Sequence, residues 1–568
     1  MRCAYVFVLV GIGVPLWAQA QEQPSAPVQL RGSLSATAEA YTSAGEAPTQ
    51  RFLPRYGARL FVRPVLRLFE RVEIPFELTL STQSGLRTGY PVGFQQPFNQ
   101  FGLSPQITSW LRLHGGYFSL SLSELSFGEP RILGGGLELS PGPFRFKAFY
   151  GVVQQPRALD TLSGFPGTYR RWAWGGSIGF ATEGGAELLL HYARLIDDTT
   201  SIRLLRILQD TVRTPDTALA VTDTIVTPAQ DNAVAALSFR APLGAILSVQ
   251  GEVALSAYSS SIRAAEKDVG VPRWLFVPRY SSNLDGAARV AVAVNPSQAV
   301  SVTLGGRWIG PGFTTLGYPW LANDVGELTV APSFTLNTVS VRLSAGMQWN
   351  NLRNTRLGTT RRVIGSAGVS WQPSTAFGVD LQYTNYGTRM QHAEDTLRVQ
   401  NVYQSISVSP RWQFPGLGGT NMVMASYTFS QTSDQNPVSR GATQQTTHSA
   451  VVNHSLLFSS GLAVTTTGNY TQTTALVATR LWMLSETVSF PLIPRQLTGA
   501  FGLGWSQMRT STEQATLQDT QWSARLSFTY QLQRWGTLTW NTFLNRSTRA
   551  GRRPFTELHS SLNYSLGF

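Results

Sequence analysis

Apolar and polar residues alternate along most of the chain with a period of two, and the final stretch shows it most plainly. From Thr556 to Phe568 the even positions carry Leu558, Leu562, Tyr564, Leu566 and Phe568, and the odd ones Glu557, His559, Ser561, Asn563 and Ser565. This pattern predicts a strand with one apolar and one wet face. Near the other end Tyr56, Ala58, Leu60, Val62, Leu66 and Leu68 share a face. Beyond a turn near Glu70, Val72, Ile74, Phe76, Leu78 and Leu80 continue it. The opposite face presents Arg59, Arg63 and Arg67, then Glu73 and Glu77, and a turn centred on Glu70 sets Arg67 across from Glu73 and Arg63 across from Glu77. These are expected to be ion pairs on an inner, watered face, acting as wall salt bridges rather than as a dedicated solute site. Pro64 and Pro75 predict a bulge or a strand end.

From Ile132 onward one unit repeats: a strand of about 12 residues, a short turn, a second strand and a longer connection. Short turns are predicted near Ser140 to Pro143, Thr182 to Gly185, Ala241 to Gly244, Asn337-Thr338, Pro415 to Gly419 and Ser459 to Gly461, among others. Long connections are predicted at 154–168, 197–230, 259–282, 310–323 and 431–446. The expected fold is therefore an all-β, transmembrane, antiparallel up-and-down barrel. If both termini share one side, the strand number is even. The strands total 25 with Trp110 to Phe118 and 24 without it, and including it breaks the long-short rhythm. The expectation is about 24 strands, within a range of 22–26, with 83–130 folded as an insert or plug inside the barrel. Two extra short strands, giving about 26, are the alternative. A wall of this size encloses more space than side chains fill. Arg87, Arg112, His114 and Glu124 are the candidate constriction residues of the insert.

The chain ends fit this placement. Arg2, the apolar run Ala4 to Trp17 and Ala18-Gln19-Ala20 read as a secretory signal peptide over residues 1–20, leaving 21–568 as the barrel. Tyr564, Leu566 and the terminal Phe568 resemble the C-terminal signal by which outer-membrane barrels are inserted. Cys3, the single cysteine, leaves with the signal, so no disulfide, thiol nucleophile or cysteine metal site is expected. Charged residues make up 14% of the chain, yet the formal charge is +13 and Lys147 and Lys267 are the only lysines. For an exported chain this arginine excess predicts outer-membrane lipid, lipopolysaccharide and anionic solutes as partners, with no nucleic acid. Further expected partners are the barrel-assembly machinery and a surface or periplasmic protein. The predicted location is the bacterial outer membrane, crossed many times, with both termini periplasmic.

Residues 98–105, Trp110 through Tyr117, Gly134-Gly135-Gly136-Leu137-Glu138-Leu139-Ser140-Pro141-Gly142-Pro143-Phe144-Arg145-Phe146 and Tyr150-Gly151 resemble a family of large, mostly uncharacterised outer-membrane β-barrels of Bacteroidetes-like bacteria. The likeness resumes at Asn323-Asp324, 330–334, 362–367, 377–380 and 383–386, covering residues 95 to 415. It implies location and fold and brings no catalytic residue.

No motif supplies chemistry. Gly175-Gly176-Ser177-Ile178-Gly179 matches Gly-x-Ser-x-Gly, but lies in a predicted strand followed by another strand instead of a strand-to-helix turn. His191, His448, His454 and His559 fall in strands and are expected at the lumen or the membrane interface. Asp197, Asp198, Asp210, Asp216, Asp223 and Asp231 cluster around one long loop without a calcium-loop spacing. Trp522, Phe528 and Tyr530, and Phe501 and Trp505, are expected in interfacial girdles. No enzyme activity, cofactor or metal is expected. The first functional expectation is a gated or restricted transport pore for a polar or anionic solute or polymer. The second is a non-conducting scaffold that binds a surface protein or polysaccharide through its long loops, 197–230 and 259–282.

Overall fold

A computed structural model describes residues 28–45, 55–69, 72–82, 100–128, 130–157, 167–202, 228–390, 398–512, 514–549 and 551–568. The signal region, Arg87, and Asp210, Asp216 and Asp223 lie outside these residues. The strands are β1 (Val28–Ala44), β2 (Tyr56–Leu68), β3 (Val72–Ser81), β4 (Gln100–Leu103), β5 (Gln106–Thr108), β6 (Leu111–Ser119), β7 (Arg131–Leu139), β8 (Phe144–Gln154) and β9 (Arg170–Ala181). They continue as β10 (Glu187–Asp198), β11 (Asp231–Leu243), β12 (Leu247–Ser259), β13 (Ser282–Ser297), β14 (Val300–Ile309), β15 (Val325–Leu336), β16 (Val339–Trp349), β17 (Thr360–Trp371) and β18 (Phe377–Met390). The last are β19 (Val399–Gly416), β20 (Gly419–Asp434), β21 (Gln445–Phe458), β22 (Ala463–Thr474), β23 (Ala478–Ile493), β24 (Leu497–Ser511), β25 (Thr516–Gln531), β26 (Thr537–Arg549) and β27 (Phe555–Gly567).

Apart from β4 and β5, which do not pair with each other, each strand pairs antiparallel with its chain neighbours, and β1 pairs with β27 to close the sheet on itself. Closure removes the unpaired edges that an open sheet would present. Both ends of the paired chain and connections of two to five residues lie at one rim, and the longest connections lie at the other, although after β22 the connections there are short as well. Closely opposed residues share a face, so register carries the inside-outside assignment around the wall. Leu562, Trp540, Leu544, Trp522, Leu503 and Phe501 fall on one continuous, exposed outer face. On that face Tyr470 packs on Trp482 at 4.2 Å and Phe528 on Trp540 at 5.8 Å. The inner face carries hydroxyls and amides bonded across strands: Ser409 with Ser426 (2.9 Å), Thr447 with Thr473 (3.0 Å) and Ser527 with Asn541 (2.7 Å).

The wall corrects two expectations. The strand number is 26 and not 24, the top of the expected range and the alternative with two extra short strands, because β4 and β5 pair with the same two neighbours, β3 and β6, and so occupy one place in the ring. Trp110 to Phe118 belongs to the wall as β6, so the described part of 83–130 is an insert only over 120–128. The strand at 100–108 escapes the two-residue pattern because Ser104-Pro105 interrupts it and Pro105 has no amide proton to donate. Glycines also hold the wall together here: Gly116 has φ +74°, and a Cβ on Gly102 would lie 1.9 Å from the Tyr117 carbonyl oxygen. With 100–108 restored, two strands are added where one had broken the rhythm, and long and short connections alternate again as far as β21.

The connection after β12 folds outward. Arg194 and Asp231 point to the outer side of β10 and β11 and form a two-pronged ion pair at 2.9 and 3.1 Å. The 273–275 segment covers them: Arg194 donates to the carbonyls of Arg273 (2.7 Å) and Trp274 (3.1 Å), and the Tyr192 hydroxyl donates to that of Leu275 (2.5 Å). The acidic cluster around this rim divides into ion pairs, with Asp197 on Arg171 (2.7 Å) and Asp198 near Arg170 (3.9 Å). Among the described residues no group of three or more metal-ligating side chains occurs.

Candidate functional site in the lumen

Among the described residues two connections turn inward and dock on the wall from β6 to β14. The β6–β7 connection places Phe127 among Phe118, Ile132, Phe149, Ala173, Ala193 and Leu195, all on the inner face, with the Phe127 and Phe149 rings 4.5 Å apart. Two residues earlier Leu125 enters a second cluster with Val234, Ala236, Ala254, Ala287, Ile309 and Phe313. Phe313 belongs to the β14–β15 connection, which is stitched to the first loop. The Thr315 hydroxyl donates to the Ser126 carbonyl (2.6 Å), and the Gly128 amide to the Gly317 carbonyl (3.2 Å). Asn232 then binds the second loop to the wall, donating to the Thr314 carbonyl (2.9 Å) and accepting from the Leu316 amide (2.9 Å). Burying these polar groups on a wet face requires such pairing.

Below the first loop lies a recess of about 330 Å³. Glu252, fully buried, accepts from the Leu125 amide (3.0 Å) and from Arg289 Nε (3.1 Å), and Arg289 also pairs with Glu124 of the loop. Arg307 pairs with Glu327 across β14 and β15, and Glu187 stands opposite Arg240 across β10 and β11. Three arginines thus face four carboxylates, which makes a charged but nearly neutral surface with the loop fastened to it through Glu252 and through its own Glu124. Tyr318 and Trp320 on the second loop are exposed.

The sequence-predicted residues are distributed over the lumen. Arg67 lies 3.5 Å from Glu73 and Arg63 lies 3.8 Å from Glu77, while Glu77 makes its closer contact, 2.6 Å, with Arg131. Arg59 stands opposite Thr37 on the inner face. Glu124 reaches the recess, whereas Arg112 and His114 face the lumen from β6. Arg112 donates to Gln106 (3.0 Å). His114 links Ser104 (2.9 Å at Nδ1) to Glu138 (2.8 Å at Nε2), and Glu138 lies 3.6 Å from Lys147. Tyr564 and Leu566 occupy β27, with the Tyr564 hydroxyl on the Trp535 carbonyl (2.7 Å). The terminal Phe568 exchanges backbone bonds with Gly32 (2.7 and 3.0 Å).

Ser104, His114 and Glu138 have the order of a nucleophile, base and orienting acid. Their position argues for a clamp across the interrupted strand: His114 stacks on Phe118 at 4.9 Å, and the Ser104 amide is spent on the Pro75 carbonyl (3.1 Å), so it offers no oxyanion donor. Ser104→Ala is expected to lower stability by about 1 kcal/mol, read as a urea midpoint in detergent. A fluorophosphonate probe should label neither form; labelling that Ser104→Ala abolishes would make Ser104 a nucleophile. His191 stands opposite Ser177 of the Gly-x-Ser-x-Gly stretch but bonds Ser238 (2.8 Å), and Ser177 is buried within β9. His448 and His454 face outward, bonded to Tyr427 (2.8 Å) and Asn421 (2.9 Å), and His559 stacks on Phe543.

No family model matches the chain, and no curated protein sequence does. Solved structures that resemble it include the outer membrane protein OpdK of Pseudomonas aeruginosa, crystallised with vanillate, at 11% identity and a TM-score of 0.30. That match covers 60% of this chain and 93% of that one. OccAB4 of Acinetobacter baumannii shows 8% identity and a TM-score of 0.30, covering 61% and 94%. OpdQ of Pseudomonas aeruginosa shows 10% and 0.29, covering 60% and 93%.

Proposed function

We propose that this chain is a restricted diffusion pore of the bacterial outer membrane that passes small polar solutes, with the long connections outside the cell and both termini periplasmic. The observation that carries this reading is the unequal filling of the lumen. Twenty-six strands enclose more room than side chains occupy, and among the described residues the inward loops dock against the inner face of β6 to β14 alone. Among the described residues the remaining arc is lined by serine, threonine and asparagine interspersed with charged positions such as Arg59, Arg63, Arg67, Glu73 and Arg362, the surface of a water-filled channel. In this reading the 120–128 turn takes the restricting role expected of the whole 83–130 segment. The recess beside it has mixed charge, so the restriction favours polar or zwitterionic solutes without a strong anion preference. The resemblance to large barrels of Bacteroidetes-like bacteria agrees with this location, and its motifs fall largely in wall strands, as at 134–139 in β7.

Single-channel recording in planar bilayers tests the proposal. The intact chain is expected to conduct, and a variant in which 121–128 is replaced by an equally long Gly-Ser segment should show a larger unit conductance. If neither form conducts, the pore reading fails and a scaffold acting through the long loops replaces it.

A further inference from the structure

We infer that the outer rim of the barrel carries built sites for the phosphate groups of membrane lipid, one of them a groove headed by Arg361 and Arg389. This rests on the reading of the chain as a membrane barrel. Arg361 and Arg389 stand directly opposite each other on β17 and β18, at the rim away from the termini. Both are on the outer face, since the inner positions of these strands are the alternate ones that begin with Arg362 opposite Gln348, itself bonded to Glu327. Like charges in direct opposition repel. Among the described residues no carboxylate pairs with either one.

Immediately below the two arginines the wall is dented. Val363, Gly365, Asn385, Gly387, Arg389, Val402 and Gln404 line a groove of about 370 Å³. Gly365 leaves open space, with only the Asn385 carbonyl near a Cβ at 3.9 Å. Further toward the membrane centre the same face becomes apolar at Leu381, Tyr383 and Ile406. The order is arginines at the rim, a groove of two valines and two amides, and then the lipid-facing belt. It matches a phosphorylated headgroup with its acyl chains below it. Guanidinium groups bind phosphate through paired, charge-assisted hydrogen bonds, and an anionic leaflet attracts such a belt. A second row repeats the motif: Arg480 and Arg509 are directly opposed on β23 and β24, flanked by Gln472 and Gln518, above the exposed Trp482.

The phosphate could belong to a diphosphorylated glycolipid or to a glycerophospholipid, and the test separates them. Native mass spectrometry of the full chain in detergent is followed through titration with diphosphoryl lipid A, its dephosphorylated form, phosphatidylglycerol and phosphatidylcholine. Retention of lipid A but not of the dephosphorylated form assigns the site to glycolipid, and equal retention of phosphatidylglycerol assigns it to phospholipid. Arg361→Gln with Arg389→Gln, and separately the groove-filling Gly365→Leu, should each weaken the retained species about tenfold. Unit conductance should stay unchanged in both variants, so a failed pore reading and a failed lipid site remain distinct. Retention that is indifferent to phosphate, or unchanged in both variants, overturns the proposal.

Discussion

Asp231→Ala should destabilise the barrel by about 3–5 kcal/mol, the range for removing one partner of a buried ion pair. Asp231 is fully buried and the Arg194 side chain only 8% exposed, so the guanidinium left behind has no water to take the place of the carboxylate. It would keep only the Arg273 and Trp274 carbonyls, which satisfy its protons without neutralising its charge. The loss should appear as a lower urea midpoint in detergent and as new protease cleavage within 260–281, since the covering segment is held through the same arginine. Replacing both residues, Asp231→Ala with Arg194→Met, removes the stranded charge and should recover most of the loss. A single variant as stable as the parent would show that the outer segment is not anchored by this pair.

Glu252→Ala should both loosen the inward turn and change the ion preference of the lumen. The carboxylate holds the Leu125 amide and Arg289 Nε, and bonds to a charged group are worth about 1.5–3 kcal/mol each. Without it the recess holds three arginines against three carboxylates, with Arg289 released toward the channel. The expected result is a larger and noisier conductance, with a reversal potential shifted toward anions in a salt gradient. Glu252→Gln divides the two effects: the amide oxygen can still accept from Leu125, so conductance should change less while the shift toward anions persists. Equal conductance and selectivity in both variants would mean that the turn does not restrict the path.

The wall was legible because its chemistry is periodic. Outer and inner positions of β27, and of β2 and β3, can be read from alternate letters, since lipid and water demand opposite residues every 3.3 Å or so. The strand count was not, because 100–108 carries glycine where backbones approach closely and proline where the ladder breaks. Neither residue reports a face. The inward turn was hidden for a different reason. Leu120, Leu122, Leu125 and Phe127 look like more wall, and only the partners far away in sequence show that they dock inside: Ala254 and Phe313 for Leu125, Ala193 and Leu195 for Phe127. Glu124 could be picked out as a charge in an apolar stretch, whereas Glu252 and Arg289 look like any other alternating wall positions. The outward arginines were visible as an excess but not as pairs, because opposition of Arg361 and Arg389 depends on the register of two strands.

The seam between β1 and β27 also sets a timetable. Thr37 and Asn563 bond at 2.9 Å although 526 positions separate them. The entropy of closing so long a chain rises only with the logarithm of its length, about 0.6 kcal/mol for each doubling, so the seam is thermodynamically tolerable. Kinetically it comes last, because contacts of such separation wait for the intervening strands to be laid down. Until that moment the chain is a curled sheet with two naked edges, each able to pair with another molecule. The hazardous period in the life of this protein is therefore the interval just before its final strand finds its first.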